Sequence, residues 1–405
     1  MTSFPKLLLL TLAMTSVIAR ADDWLDRLDD SLAVATEDGA VRARFSGLLD
    51  LEAWHFWQQA PGLIVADGHN LINPRLSLFF DAQLGPHLYV FLQSRIDRGF
   101  DPADGPAQVR LDEYAVRWTP WDDSRFNLQA GKFGTVVGNW IPRHDSWENP
   151  FINAPLIYET VTPAYDSGLP SYVHSLAEGF ARAKYSYNPV IWGPSYATGV
   201  AISGRLNWFD YAFELKNAPL SSRPSSWDPG HVDFDHPTVS GRLGWRPDAA
   251  WNLGISASEG AYLLDSFPYP LPAGKGIGDF QQVVLGQDLA FAWHHWQLWA
   301  EVYEARFDRP RGGHGDTLGW YVEAKYKFTT RVFAALRWNQ LMYGGIESPD
   351  GRPAKWSSDL WRADISIGYR ITAHSQLKLQ LSLPQPGRGE TGGGTMMAAQ
   401  LTVRF

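Results

Sequence analysis

Apolar and polar residues alternate along most of the chain beyond residue 40. In the segment QLKLQLSL, the leucines at 377, 379, 381 and 383 fall on one side, and Lys378, Gln380 and Ser382 fall on the other. The final segment, MMAAQLTVRF, alternates in the same way and ends on Phe405. Successive side chains of a β-strand point to opposite faces, so a period of two predicts strands.

The same alternation predicts about sixteen strands, joined by connections that are short and long in turn. The predicted strands begin near Phe45, Arg75, Leu88, Arg110, Phe126, Tyr196, Trp208, Thr238, Trp251, Val283, Trp296, Gly319, Arg331, Leu360, Gln376 and Thr395. Eighteen strands are predicted if residues 177–188 also enter the sheet with a partner. An even count with short turns and long loops in alternation is typical of bacterial outer-membrane barrels.

The two faces of these strands favour a membrane wall over stacked soluble sheets. One face carries leucine and aromatic residues, while the other carries Gly, Ser, Asn and charges of both signs, as a water-filled interior does. A lipid bilayer leaves no place for an unpaired strand edge, so the sheet must close. We therefore predict an all-β fold: a transmembrane antiparallel β-barrel that begins near residue 41 and ends at 405.

The N-terminal 21 residues predict a secretory signal peptide. Lys6 precedes an apolar run from Leu7 to Ile18, and Ala19-Arg20-Ala21 matches an A-x-A cleavage site. Residues 22–40 follow as a short segment in which Trp24, Leu25, Leu28 and Leu32 recur at helical spacing. This segment is interpreted either as a short helix in the periplasm or the lumen, or as a frayed leader.

Composition narrows the function classes. The chain has no cysteine, 19 Trp and a formal net charge of −8. Disulfide stapling is therefore excluded, and the acidity argues against nucleic acid as a partner. Beyond the signal peptide the sequence has no stretch of 18 apolar residues, which excludes a helical membrane protein. Abundant Trp suits the aromatic girdles of a barrel.

One predicted connection, residues 135–195, is much longer than the others and contains ten aromatic residues. A loop of this length is usually functional or disordered, and its aromatic content argues against disorder. We predict a constriction loop that folds into the lumen. An extracellular cap is the alternative.

Within this loop, the segment PRHDSWENP concentrates polar and aromatic side chains. The candidate solute-contacting residues are Trp140, Arg143, His144, Asp145, Trp147 and Glu148 from the loop, with Arg95, Glu113 and Arg117 from the strands before it. Such groups can form a pore constriction that orients a solute. The alternative is a set of ion pairs that hold the loop to the wall. His144, Asp145 and Glu148 lack a metal-site spacing, so no metal is predicted.

The inward faces of the predicted strands carry charges of both signs. They include Arg95, Arg117, Arg242, Arg337, Arg362, Arg370, Asp50, Glu52, Asp81, Asp97, Glu113, Asp288, Glu301, Glu323 and Asp364. Mixed charges around a water-filled bore can set up a transverse field that filters solutes. Cross-strand pairs that stiffen the wall are the structural alternative.

The segment Gly131-Lys132-Phe133-Gly134-Thr135-Val136-Val137-Gly138 resembles the "GKF…G" start of the long loop in phosphate-selective and related porins of Gram-negative outer membranes. The resemblance implies a diffusion channel for small hydrophilic solutes, often a homotrimer. The last strand also resembles the C-terminal strand of bacterial outer-membrane proteins, whose final aromatic is read by the assembly machinery. The loop departs from the phosphate-selective members because its cations are only Arg143, Arg182 and Lys184. A phosphate-specific role is therefore not expected.

The sequence thus predicts passive diffusion of small hydrophilic solutes (ions, organic acids or sugars) through an outer-membrane porin without a cofactor. Trp140 or Trp147 could stack on a sugar-like or aromatic solute. A barrel hydrolase is an alternative, although the sequence has no G-x-S-x-G and no H-E-x-x-H. A scaffold for a partner such as a cytochrome is a third reading, and the chain carries no C-x-x-C-H for haem of its own.

Overall fold

The computed structural model describes residues 22–58, 60–66, 68–97, 108–168, 187–347, 353–384 and 395–405. The predicted signal peptide, residues 1–21, lies outside this part of the chain. None of the helices in the described ranges is long and apolar enough to cross a membrane.

Sixteen antiparallel strands form one closed wall, which confirms the predicted barrel. They are β1 Val41–Phe56, β2 Asn70–Leu84, β3 Leu88–Asp97, β4 Gln108–Trp118, β5 Asn127–Phe133, β6 Ala197–Leu206, β7 Phe209–Lys216, β8 Thr238–Trp245, β9 Trp251–Ala261, β10 Gln281–Trp293, β11 Trp296–Asp308, β12 His314–Lys327, β13 Val332–Tyr343, β14 Leu360–Arg370, β15 Ser375–Pro384 and β16 Met396–Arg404. Each strand pairs with its neighbour in sequence. The wall closes where β1 pairs with β16, from Leu48 opposite Arg404 to Phe56 opposite Met396.

The wall does not include the two extra strands of the eighteen-strand version. Of residues 177–188, only the last two are described. Asn188–Pro189 pairs instead with Val161–Ala164 in a separate two-stranded sheet. Sixteen strands therefore complete the ring without a contribution from the long loop.

The alternation of side chains produces one apolar and one polar face. In β14, Ile365 and Ile367 point outward and are 45% and 51% exposed, whereas Arg362 and Asp364 point inward and are each 1% exposed. The outward face carries exposed leucine, isoleucine, valine and aromatic side chains all round the wall. Many of the inward charges pair with one another or with polar groups, because a charge away from bulk water is costly without a partner.

The short connections lie at one end of the barrel. They include the turn at Gly85, with φ of +66°, and the turn at Asn207, with φ of +54°. Both ends of the wall, Val41 and Arg404, lie at this same end. The longer connections lie at the other end, although the β11–β12 connection spans only residues 309–313.

A short helix, α1 (Asp22–Ser31), lies at the short-turn end. Asp29 forms an ion pair with Arg44 at 2.6 Å. Asp26 accepts a hydrogen bond from His374 Nε2 in the β14–β15 turn at 2.7 Å. A three-residue strand, Ala33–Ala35, then pairs with the start of β1.

The last residue is tied to the same end of the wall. The amide of Gly47 donates to the Phe405 carbonyl oxygen at 2.8 Å, and the amide of Phe405 donates back at 3.1 Å. The Phe405 ring covers Gly47 so closely that a Cβ atom there would lie 2.4 Å from Cζ. Only glycine at position 47 leaves room for the terminal ring.

The outward face gives a first prediction. Val322→Arg, near the middle of β12, should lower the free energy of unfolding in lipid vesicles by about 2–4 kcal/mol, because it places a charge at mid-bilayer depth. Phe328 lies just past the end of the same strand and on the same face, near the membrane interface. Phe328→Arg should therefore lower the free energy of unfolding by at most about 1 kcal/mol. Denaturant titration monitored by Trp fluorescence measures both. Equal costs would contradict a lipid-facing outer surface.

Candidate pore constriction

The long loop begins by attaching its backbone to carboxylates on the inward face of the wall. The amide of Gly134 donates to Glu113 Oε1 at 2.7 Å. The amide of Val136 donates to Glu214 at 3.3 Å, and the amides of Asn139 and Trp140 donate to Glu301 Oε1 at 2.5 and 3.0 Å. These contacts run from β4 to β7 and then to β11, so this part of the loop crosses the interior of the barrel.

Arg143 fixes the next part of the loop to β12. Its guanidinium donates to Glu323 Oε1 at 2.6 Å and to the Tyr321 hydroxyl at 3.0 Å. It also lies over the Trp299 ring, with 4.4 Å between Cζ and the ring centroid. Burial disfavours the charge, but Glu323, Tyr321 and Glu301 together outweigh it and raise the pKa of Arg143 above its ordinary value. This geometry corresponds to the anchoring alternative for Arg143.

The tip of the loop is held by a lysine on β15. Lys378 Nζ donates to the carbonyl oxygens of Ser146, Asn149 and Phe151 at 2.7, 3.0 and 3.1 Å. An ammonium group has three donors, and here each one meets a loop carbonyl. Lys378 therefore organises the segment 146–151 around a single buried charge.

The returning part of the loop is bound by two arginines on β13 and β14. Arg337 Nη2 donates to Asn153 Oδ1 at 2.5 Å, and Arg362 Nη2 donates to the Ala154 carbonyl oxygen at 2.7 Å. Arg362 also forms an ion pair with Glu159, which lies in the short helix α2 (Leu156–Glu159). These contacts bring the loop back along the wall towards its starting strand.

Tyr158 in α2 closes this set of contacts. Its hydroxyl donates to Glu301 Oε2 at 2.6 Å, while the other oxygen of Glu301 receives the two loop amides. Burial raises the pKa of Tyr158 well above its ordinary value, so the phenol remains a hydrogen-bond donor at physiological pH. Glu301 thus joins the outgoing and returning halves of the loop.

Apart from Glu113 on β4, these anchors hold the loop to β7 to β15, and open space remains beside parts of β1 to β6. One cavity, the β2–β6 cavity, is lined by Glu113, Arg117, His144 and Asp145. A second, the β1–β3 cavity, is lined by Arg75, Arg95, His144 and Asp145. A third, the mouth cavity, lies at the short-turn end beside Asp145, Trp147, Glu148 and His374.

The wall opposite the loop presents paired arginines. Arg75 lies 3.0 Å from Asp50 and 2.9 Å from Glu52, and Arg95 lies 3.3 Å from Asp112. Asp112 is the extra residue of a β-bulge in β4, where the register with β3 shifts between Gln93 and Ser94. The bulge brings both Asp112 and its neighbour Glu113 to the interior, which strict alternation does not predict.

The predicted site residues therefore separate into two groups. Eight of them line cavities, whereas Arg143 is buried in its ion pair; the eight are Trp140, His144, Asp145, Trp147, Glu148, Arg95, Glu113 and Arg117. Trp140 and Trp147 are 4% and 6% exposed. The Trp140 ring packs on Tyr158 with centroids 4.6 Å apart, and Arg404 lies 4.2 Å from the Trp147 ring centroid. Most of each indole therefore packs on protein, although Trp140 borders the β1–β3 cavity and Trp147 the mouth cavity, and stacking on a solute stays a prediction.

Sequence reasoning missed the groups that hold the loop. The alternation with leucines predicts that Lys378 lies on the inward face, and Arg337 and Arg362 are among the predicted inward charges. Nothing in the local sequence indicates that their partners are loop carbonyls, because those contacts join residues about 200 positions apart.

Removing the lysine anchor should loosen the loop. Lys378→Met keeps the length of the side chain but leaves three carbonyls without their donor, so the free energy of unfolding should fall by about 1–3 kcal/mol. Limited proteolysis should then cut within residues 134–164 faster than in the wild type. Lys327→Met, at the exposed end of β12, is the matched control and should change neither quantity. Unchanged protection in Lys378→Met would contradict the anchor role.

Substitutions at Arg143 and Asp145 should separate anchoring of the loop from ion selectivity. Arg143→Gln leaves the buried Glu323 without its closest partner and should cost about 3 kcal/mol of stability without changing ion selectivity. Asp145→Asn should change the reversal potential in a salt gradient while stability stays within about 0.5 kcal/mol. Glu148→Gln should behave like Asp145→Asn. A selectivity change that follows Arg143 instead would contradict this assignment.

The barrel is similar to several solved outer-membrane proteins. It aligns with OmpF of Salmonella typhi, solved in complex with daunomycin, at a TM-score of 0.57 and 11% identity over 92% of this chain and 100% of that one. The outer membrane channel DcaP of Acinetobacter baumannii gives a TM-score of 0.55 and 8% identity over 92% of this chain and 99% of that one. The trimer form of OmpT, an outer membrane protein of Vibrio cholerae, gives a TM-score of 0.53 and 10% identity over 90% of this chain and 100% of that one.

The sequence itself matches no protein-family model and no curated protein. At identities near 10%, the structural likeness is a statement about fold. The predicted resemblance to porins is therefore confirmed for the fold. The resemblance to the phosphate-selective subclass stays a prediction. The chain has the fold of a sixteen-stranded, porin-like outer-membrane barrel.

Proposed function

We propose that this chain is an outer-membrane porin that lets small hydrophilic solutes diffuse passively through a water-filled barrel narrowed by its long loop. The observation that carries the proposal is the position of Asp145, which lines all three cavities between the loop and the wall. A single loop segment thus borders every one of these cavities. Movement follows the concentration gradient and needs no cofactor.

The two faces of the wall support the membrane setting of this proposal. The outward face is apolar and suits lipid, and the inward face is polar and suits water. Similarity to OmpF and DcaP supports the outer membrane of Gram-negative bacteria as the location. We propose a homotrimer, because the similar OmpT of Vibrio cholerae was solved in a trimer form.

The polar groups around the cavities favour ions, organic acids and sugars as solutes. Carboxylates and guanidinium groups from Asp145, Arg75 and Arg117 border the open space. These groups can replace part of the hydration of a passing solute while the loop limits its size.

The two alternatives receive less support from the described residues. In this part of the chain, none of the histidine rings is hydrogen-bonded to a serine or threonine hydroxyl, as a hydrolase triad requires. A scaffold for a partner protein needs a clear bore, whereas the loop here occupies the side of the lumen next to β7 to β15.

Conductance in planar bilayers tests the proposal. Purified protein should insert with discrete current steps, and a homotrimer should close in three equal sub-steps. Vesicle swelling should be faster with small sugars than with large ones, because the loop narrows the bore. A step-free trace together with no solute uptake would contradict the channel function, and single closing steps would contradict the trimer alone.

A further inference from the structure

His144 lies at the junction of the two cavities inside the lumen. It lines both the β2–β6 cavity and the β1–β3 cavity, and its side chain is 13% exposed. The neighbouring Asp145 side chain is 33% exposed. A charge that appears on the His144 ring would therefore face solutes in both cavities.

The hydrogen bonds of His144 define its neutral form. Nδ1 lies 2.6 Å from the Ile141 carbonyl oxygen, which can only accept, so Nδ1 carries a hydrogen atom. Nε2 lies 2.9 Å from the Tyr196 hydroxyl. In the neutral ring, Nε2 accepts from this phenol, which stays protonated near neutral pH. The tautomer is thus assigned from its partners.

The charged form of the ring also has partners in place. When Nε2 gains a proton, the Tyr196 oxygen can accept once its own hydrogen rotates away, and Asp145 Oδ1 lies 3.7 Å from Nε2. Both protonation states are therefore compatible with the same position of the ring. This distinguishes His144 from a histidine whose packing admits only one state.

The charges nearest His144 come from two wall strands and from the loop itself. Glu113 on β4 and Asp145 beside it interact with the ring, and Arg95 on β3 lines the β1–β3 cavity with it. Arg95, Glu113, Asp145 and the neighbouring Asp112 also surround its partner Tyr196. Carboxylates outnumber cations in this set. Across the three cavities, seven carboxylates and five arginines line the space among the described residues. The surroundings are therefore net negative while His144 is neutral.

We propose that His144 makes the ion preference of the channel depend on pH: cations are preferred at neutral pH, and protonation of the ring weakens that preference. The inference rests on the proposed channel function. Histidine is the side chain that ordinarily changes charge between about pH 5 and 8. A positive charge at the junction offsets part of the negative lining, and a field at a constriction acts on every ion that passes.

Reversal potentials in a KCl gradient test this inference. The ratio of K⁺ to Cl⁻ permeability should fall roughly sevenfold as the pH is lowered from about 8 to about 5.5, because a unit charge about 6 Å away raises the energy of K⁺ and lowers that of Cl⁻ by about RT each in water. In His144→Gln this fall with pH should be absent, and the permeability ratio should keep its high-pH value at every pH. His87→Gln is the matched control, since His87 Nδ1 also meets a backbone carbonyl, Thr119 at 2.8 Å, but lies in a short turn.

Two further variants keep the test decisive. His144→Lys carries a permanent charge and should give the low ratio at every pH. His374 lines the mouth cavity, so His374→Gln should retain the fall with pH. A wild-type ratio that is flat with pH, or a fall that disappears in His374→Gln and not in His144→Gln, would overturn the role of His144. Absence of current steps at every pH would instead contradict the channel function itself.

Discussion

The internal architecture depends on the pairing of loop backbone groups with charged side chains of the wall. A loop inside a barrel gives up hydrogen bonds to water, and each buried amide or carbonyl then needs a partner. The wall supplies partners of the matching sign: Glu113, Glu214 and Glu301 accept from amides where the loop enters, and Lys378 and Arg362 donate to carbonyls at its tip and return. Apolar packing of the loop on the wall, such as Ile157 with Leu341 and Ile152 with Phe56, adds to this pairing.

This pairing divides the inward charges into two populations. Those on β11 to β15, such as Arg337 and Glu323, are almost fully buried, and they bind the loop or form ion pairs with one another. Those on β2 to β4, such as Arg75, Arg95 and Arg117, border open space while still holding a carboxylate or amide partner. The barrel therefore carries a structural half and a water-facing half, although the sequences of both halves look alike.

The alternation of side chains was sufficient to predict the strands, because inside and outside differ so strongly in polarity. Leu88, Trp251 and Trp296 begin their strands at the predicted residues, and the ring closes with sixteen. Alternation could not predict the bulge at Asp112, since one extra residue leaves no compositional trace. Nor could it separate Arg143 from Asp145, two residues apart, because one meets Glu323 across the lumen and the other meets a cavity.

The pairing of β1 with β16 has a consequence for how the chain reaches this state. Every other seam of the wall joins strands adjacent in sequence, whereas this one joins opposite ends of the chain. Its loop-closure entropy is the largest of any seam, and bilayer insertion cannot finish while two edges stay unpaired. Biogenesis should therefore be limited by a single late ring-sealing event, with the contact between Phe405 and Gly47 among the last to form.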